Sequence, residues 1–198
     1  MAEEWYGEVA DMVRIKEILD QPVPYKKHNK RQYTFTVGEN EYEVHTKHFS
    51  LEDIAEDMLD PLVKQIEGIV PIIDPYEIRE GVERTLAISI EFALLGDGDN
   101  IQYDLTDTGN QFTVLSTVVD IAIHDLIPDL MSYTCAFCFT AKQEEQSRVK
   151  VYELLSRKFA RAIPELTYLG SFDQYGSRVY IFMNIEEFIR KYIDTSYI

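Results

Sequence analysis

Residues 107–126 read DTGNQFTVLSTVVDIAIHDL and residues 135–159 read CAFCFTAKQEEQSRVKVYELLSRKF, and this stretch decides the fold. Apolar residues recur at helical spacing in its first part, which predicts a helix over 112–130. The nearly continuous apolar run YTCAFCFTA, at 133–141, predicts an interior strand covered on both faces. An amphipathic pattern over 147–163 then predicts a second helix.

Alternating patterns on both sides of this stretch predict further strands. QYTFTVGENEYEVHTKHF, at 32–49, is typical of a β-hairpin around a G-E-N-E turn. TLAISIEFALL, GDGDN and IQYDLT, over 85–106, predict a second hairpin. Two closing strands are expected at 166–173 and 178–184, joined by a QYGS turn.

Helical spacing over 3–20 predicts an N-terminal helix, and the KKHNKR segment after it is interpreted as a basic linker. Ser50 and Asp53 resemble a capping box and predict a helical insertion at about 50–84. The expected organisation is an N-terminal helix and linker at 1–30, a single α/β domain at 31–184 and a C-terminal helix at 185–198.

The composition limits the classes of function. The chain has 198 residues, 45% of them hydrophobic, and a formal net charge of −16. A field of that sign repels nucleic acid and anionic membrane surfaces, which argues against direct binding to either. The acidic start and the lack of an apolar run of membrane-spanning length predict a soluble, cytoplasmic protein.

The order of the elements resembles that of the GCN5-related N-acetyltransferases, the GNAT family. That family has antiparallel strands, a loop and helix that hold coenzyme A, an interior strand, a helix that carries a tyrosine, and a closing hairpin. The resemblance implies a GNAT-like α/β (α+β) fold with a mixed, mostly antiparallel sheet flanked by helices. It covers about the last half of the chain at the level of motifs.

Two family motifs have partial counterparts in this chain. The coenzyme loop, [RQ]-x-x-G-x-[GA], is matched by Gly109, so the resemblance implies that Gly109, Asn110 and Gln111 bind acetyl-CoA through backbone amides. Gln111 stands where a small residue is expected. The motif N-x-x-A-x-x-L-Y resembles residues 145–152, which makes Tyr152 the implied proton donor to the departing thiolate. The alternative is that Tyr152 packs in the core.

Because the loop motif is degraded, we expect a noncatalytic interaction or structural protein on an acetyltransferase-like scaffold, without a cofactor. An acetyl-CoA-dependent N-acyltransferase is the alternative. The same segments also resemble a group of small bacteriophage proteins, which would place the protein in the host cytoplasm or the virion. Eight carboxylates and one lysine over 39–60 suggest a further alternative, an acidic inhibitor that imitates nucleic acid toward a host protein.

Basic residues on one face of the second helix, Lys150, Arg157 and Arg161, are the candidate partner-binding residues. They lie on a different element from the acidic run at 39–60. This separation of positive and negative charge favours binding to a protein partner or self-association.

No metal site is expected. Cys135 and Cys138 have C-x-x-C spacing, but a strand directs residues three apart to opposite faces, which favours two core cysteines. His45 and His48 diverge for the same reason, unless the strand ends between them.

Overall fold

The computed structural model describes most of the chain, and the account below concerns these residues: 21–54, 56–95, 101–102, 111–142, 156, 158–174 and 176–193. They group into two compact units. The first contains the described residues up to His45 and those from Phe92 to Asp129, and the second contains those from Thr46 to Glu91 and from Leu130 onward. The boundaries predicted for a single domain over 31–184 stay a prediction.

The first unit contains an antiparallel meander of β1 (Tyr25–Asn29), β2 (Gln32–Val37) and the first part of β3 (Asn40–Ser50). The predicted hairpin over 32–49 is therefore confirmed. Gly38, in the turn between β2 and β3, has a φ of 64°, a conformation that glycine adopts without a steric penalty. Alternate side chains of β2 and β3 are buried and form the core of this unit: Tyr33, Phe35, Val37, Tyr42 and Val44.

β1 corrects the interpretation of residues 25–29 as part of a linker. Lys26 pairs with Thr34, and Lys27 pairs with Tyr33. Four of the five β1 residues are exposed, so the strand has no alternation of buried and exposed side chains that would mark it in the sequence. Backbone pairing with β2 holds it in the sheet. The N-terminal helix predicted over 3–20 lies outside the described residues.

A continuous helical path follows at 111–130, which confirms the helix predicted over 112–130. It consists of α3 (Gln111–Ile121), a π-helical turn (Ala122–Leu126) and α4 (Ile127–Leu130). Thr117 Oγ1 accepts a hydrogen bond of 3.0 Å from the backbone N–H of Val23. The wider π turn was not predicted, and such turns occur frequently at functional sites.

The second unit is centred on β6 (Ala136–Lys142), which lies between two other strands. β4 (Leu86–Leu95) runs parallel to it, with Ile88 paired to Phe137. On its other side β8 (Ser177–Met183) runs antiparallel to it and pairs in turn with β7 (Thr167–Gln174). The predicted interior strand and closing hairpin are both confirmed.

Apolar layers cover both faces of this part of the sheet. On one face the buried aromatic rings of Phe139, Phe159 and Phe182 contact each other. On the other face Ala136, Cys138 and Ile181 belong to a large buried cluster. The helices that contribute to this cluster are α1 (Glu56–Ile69), α2 (Pro75–Glu83) and α5 (Ile185–Tyr192).

α1 and α2 occupy the predicted helical insertion, preceded by a 3₁₀ turn at Leu51–Asp53. α2 begins at the N-cap residue Asp74, whose side chain accepts a hydrogen bond from the backbone N–H of Tyr76 at 2.8 Å. α5 begins at Asn184, whose side chain caps the backbone N–H of Glu187 at 3.0 Å.

The strand order is β1-β2-β3 in the first unit and β4-β6-β8-β7 in the second. β5 (Ile101–Gln102) pairs antiparallel with β4 through Leu94 and Leu95, as the second predicted hairpin requires. β4 and β6 pair in parallel, whereas β1–β2, β2–β3, β4–β5, β6–β8 and β7–β8 pair antiparallel. The chain is thus a mixed α/β protein with a mostly antiparallel sheet flanked by helices, which confirms the coarse fold class.

Candidate functional site

Most of the candidate residues from the sequence lie outside the described residues, namely Gly109, Asn110, Lys150, Tyr152 and Arg157. Gln111 is the first residue of α3. Arg161 is exposed in a helical segment at 158–162. The coenzyme, catalytic and partner-binding roles of these residues therefore stay predictions.

A polar cluster in the first unit joins β1 to the π-helical turn and α4. Asp125, in the π turn, accepts hydrogen bonds from the Tyr25 hydroxyl at 2.5 Å and from Lys27 Nζ at 2.8 Å. Lys27 also donates to Asp129 at 2.7 Å and lies 5.6 Å from the centroid of the Tyr33 ring. The Lys27 ammonium is thus held by two carboxylates and an aromatic face.

The electrostatics of the cluster fix the charges of Asp125, Lys27 and Tyr25. The hydrogen bonds from Lys27 and Tyr25 lower the pKa of Asp125. The hydrogen bonds to Asp125 and Asp129 raise the pKa of Lys27. Burial and the bond to Asp125 raise the pKa of Tyr25. At neutral pH the cluster therefore contains a carboxylate, an ammonium and a neutral phenol, which suits a structural tie better than proton transfer.

The Tyr33 hydroxyl is buried, and Lys27 interacts with it. Its ring packs edge-on against Tyr25, with the ring centroids 6.1 Å apart. Burial raises the pKa of Tyr33, so its phenol also stays neutral. Tyr33 therefore contributes to the cluster through its ring and its neutral hydroxyl.

We expect Asp125→Asn to remove stability that depends on pH. Because the pKa of Asp125 is lower in the folded chain, its contribution is present at neutral pH and is lost as the pH falls below about 4. Urea unfolding at pH 7 and pH 3 should show a difference between wild type and variant at pH 7 that shrinks at pH 3. Glu165→Gln, at an exposed position, is the control and should show no such change. An equal Asp125→Asn difference at both pH values would contradict the geometry.

The two cysteines are buried and not disulfide-bonded. Burial raises the pKa of Cys135 to about 11 and that of Cys138 to about 12, so both stay protonated at neutral pH. Cys135 precedes β6 by one residue, and both side chains belong to the same apolar cluster. The expectation that they point to opposite faces is wrong, because Cys135 is outside the strand. Their interpretation as core residues agrees with this burial.

The histidine pair does not form a site, because β3 continues through both positions. His45 Nδ1 lies 3.3 Å from Glu43 Oε1, whereas His48 is exposed. Across the described ranges no group of His, Cys, Asp or Glu side chains is arranged to hold a metal ion.

The acidic run at 39–60 is distributed over several elements. Glu41 and Glu43 lie on β3, Glu52 and Asp53 lie in the 3₁₀ turn, and Asp60 forms an ion pair with Arg79 from α2.

An exposed apolar segment connects α1 to α2, and sequence reasoning missed it. The side chains of Ile69, Ile72 and Tyr76 are 45%, 75% and 66% exposed. In the sequence this segment reads IVPIIDPY, an apolar run interrupted by two prolines. An apolar run that continues past the end of a helix and contains prolines could have indicated this exposed segment in the sequence.

None of the described helices is both long and apolar enough to cross a membrane. Comparisons with protein-family models, curated proteins and solved structures found no match to this chain.

Proposed function

We propose that this protein is a noncatalytic interaction protein on an acetyltransferase-like scaffold. The order of the described elements supports the scaffold: antiparallel strands β1 to β3, helix α3, the interior strand β6 and the closing hairpin of β7 and β8. This is the order that the family resemblance implies. The helical insertion between β3 and β4 is an elaboration of it.

The degraded coenzyme motif at Gly109, Asn110 and Gln111 supports the noncatalytic part of the proposal, and the pKa shifts of the described residues agree with it. Every pKa shift resolved among the described residues moves away from neutrality. The thiols of Cys135 and Cys138 rise to pKa values of about 11 and 12, and ion pairs with Arg190 and Lys191 lower the pKa of Glu187 to about 2. A general acid or base works best with a pKa near the operating pH. These groups therefore keep one protonation state at neutral pH, which suits them to packing and ion pairing.

The exposed apolar segment between α1 and α2 supports the interaction part. Large contiguous apolar patches on a protein surface often mark interaction sites, and three of the exposed large apolar side chains of the described residues are close in sequence here. Arg161, exposed at 158–162, agrees with the candidate basic surface that includes Lys150 and Arg157. A protein partner or a second copy of the chain is the expected ligand.

Acetyl-CoA is not expected to bind, because Gln111 stands where the family has a small residue that allows close approach to the backbone. Isothermal titration calorimetry of the full chain with acetyl-CoA should show no saturable heat. A micromolar dissociation constant that is lost in Gly109→Val would overturn the proposal in favour of the alternative, an N-acyltransferase that uses Gly109, Asn110, Gln111 and Tyr152.

A further inference from the structure

Residues 69–76 run from the last residue of α1 to the second residue of α2, and we call this segment the α1–α2 turn. Five large hydrophobic side chains are exposed in the described residues, and Ile69, Ile72 and Tyr76 are three of them. The other two, Leu86 and Tyr133, lie outside the turn. An exposed aromatic residue beside exposed isoleucines has the composition of an interface core.

The turn is held in a fixed conformation. Ile73 is buried in the apolar cluster of the second unit, and Val70 packs against that cluster. The backbone N–H of Val70 donates to Ile66 O at 2.9 Å, and that of Ile73 donates to Val70 O at 3.1 Å. Pro71 and Pro75 further restrict the backbone. Because the turn is already ordered, a partner loses little binding energy to ordering it.

Acidic residues flank the exposed apolar residues of the turn in the sequence. Residues 67–80 contain four carboxylates, Glu67, Asp74, Glu77 and Glu80, and one base, Arg79. Arg79 is engaged by ion pairs with Asp60 and Glu83. The Tyr76 hydroxyl is hydrogen-bonded to Glu80, which raises the pKa of this tyrosine. The turn therefore combines three exposed apolar side chains with a net negative charge in its sequence neighbourhood.

We propose that the α1–α2 turn binds a basic amphipathic segment of a protein partner. Apolar side chains of that segment would cover Ile69, Ile72 and Tyr76, while its lysines or arginines would face Glu77 and Glu80. Charge complementarity selects this partner over an acidic one, since like charges across an interface are repelled. The inference rests on the proposed interaction function and adds the surface and the chemistry of the partner.

The test uses a synthetic helical peptide with leucines on one face and lysines on the other, and a matched peptide with glutamates in place of the lysines. Fluorescence anisotropy of the labelled peptides is titrated with the full chain at low and high salt. The Leu/Lys peptide should bind with an affinity that falls as salt rises, and the Leu/Glu peptide should not bind. Ile72→Ser and Tyr76→Ser should each weaken binding about tenfold.

Matched controls distinguish binding at this turn from a general attraction of the basic peptide to an acidic protein. Leu86→Ser removes an exposed apolar side chain outside the turn and should leave binding unchanged. Glu77→Lys should weaken binding, whereas Glu165→Lys, which changes the net charge equally at an exposed residue outside the turn, should weaken it much less.

Three outcomes would overturn the inference. They are equal binding of both peptides, equal loss in Ile72→Ser and Leu86→Ser, and dimerisation of the chain through Ile72 without peptide binding, which would identify a second copy as the occupant. Each of these leaves the noncatalytic proposal standing, because acetyl-CoA calorimetry tests that proposal separately.

Discussion

Phe182→Ala is expected to lower the free energy of unfolding by roughly 3–5 kcal/mol. The ring is buried in the centre of an aromatic cluster, with its centroid 5.7 Å from those of Phe139 and Phe159 and 5.2 Å from that of Tyr168. Truncation removes these contacts and leaves a cavity that rigid strands β6, β7 and β8 fill only in part. Urea unfolding followed by circular dichroism measures the loss.

Phe182→Leu is the matched variant for this prediction. Leucine keeps much of the apolar volume, so its cost should stay below about 1.5 kcal/mol. If Phe182→Ala cost no more than Phe182→Leu, the ring would not pack in the cluster as described.

Gly81→Ala and Gly68→Ala should change stability in opposite directions. Alanine favours a helix over glycine by about 1 kcal/mol at either position. At Gly81, however, an added Cβ would lie 2.9 Å from Phe188 Cζ and 3.1 Å from Ile193 Cδ1, whereas at Gly68 nothing lies within 4 Å. Overpacking typically costs about 1–3 kcal/mol. Gly81→Ala should therefore destabilise by up to about 2 kcal/mol, and Gly68→Ala should stabilise by about 0.5–1 kcal/mol.

A double-mutant cycle identifies the cause of the Gly81 effect. In a Phe188→Leu background the ring is absent, so Gly81→Ala should lose most of its cost. Stabilisation by both glycine substitutions in the wild-type background would show that α2 does not approach α5 as closely as described.

Much of the fold follows from local patterns in the sequence. Alternation in 32–49 predicts the hairpin of β2 and β3, and the uninterrupted apolar run before Lys142 predicts the interior strand β6. In both cases the residues that pair in the sheet are also buried, so their apolar character is visible in the sequence. β1 is missed for the opposite reason: its side chains are mainly exposed, and its place in the sheet depends on backbone bonds that leave no mark in the side-chain pattern.

The candidate sites depend on contacts that a local pattern does not contain. Lys27 and Asp125 are 98 positions apart, and only the pairing of β1 with β2 and the π-helical turn bring them together. In the α1–α2 turn, Ile72 is exposed and its neighbour Ile73 is buried. Hydrophobicity alone does not distinguish these two isoleucines. Which of them is exposed depends on the path of the backbone after α1.

On the proposed function, this chain binds a partner and does not transfer an acyl group. The measurement that tests it most directly is release of the free thiol of coenzyme A from acetyl-CoA, with the purified full chain and a set of primary amines as acceptors. We predict release at the rate without protein. Release well above that rate, abolished by Tyr152→Phe in a chain that remains folded, would contradict the account and assign catalysis to Tyr152.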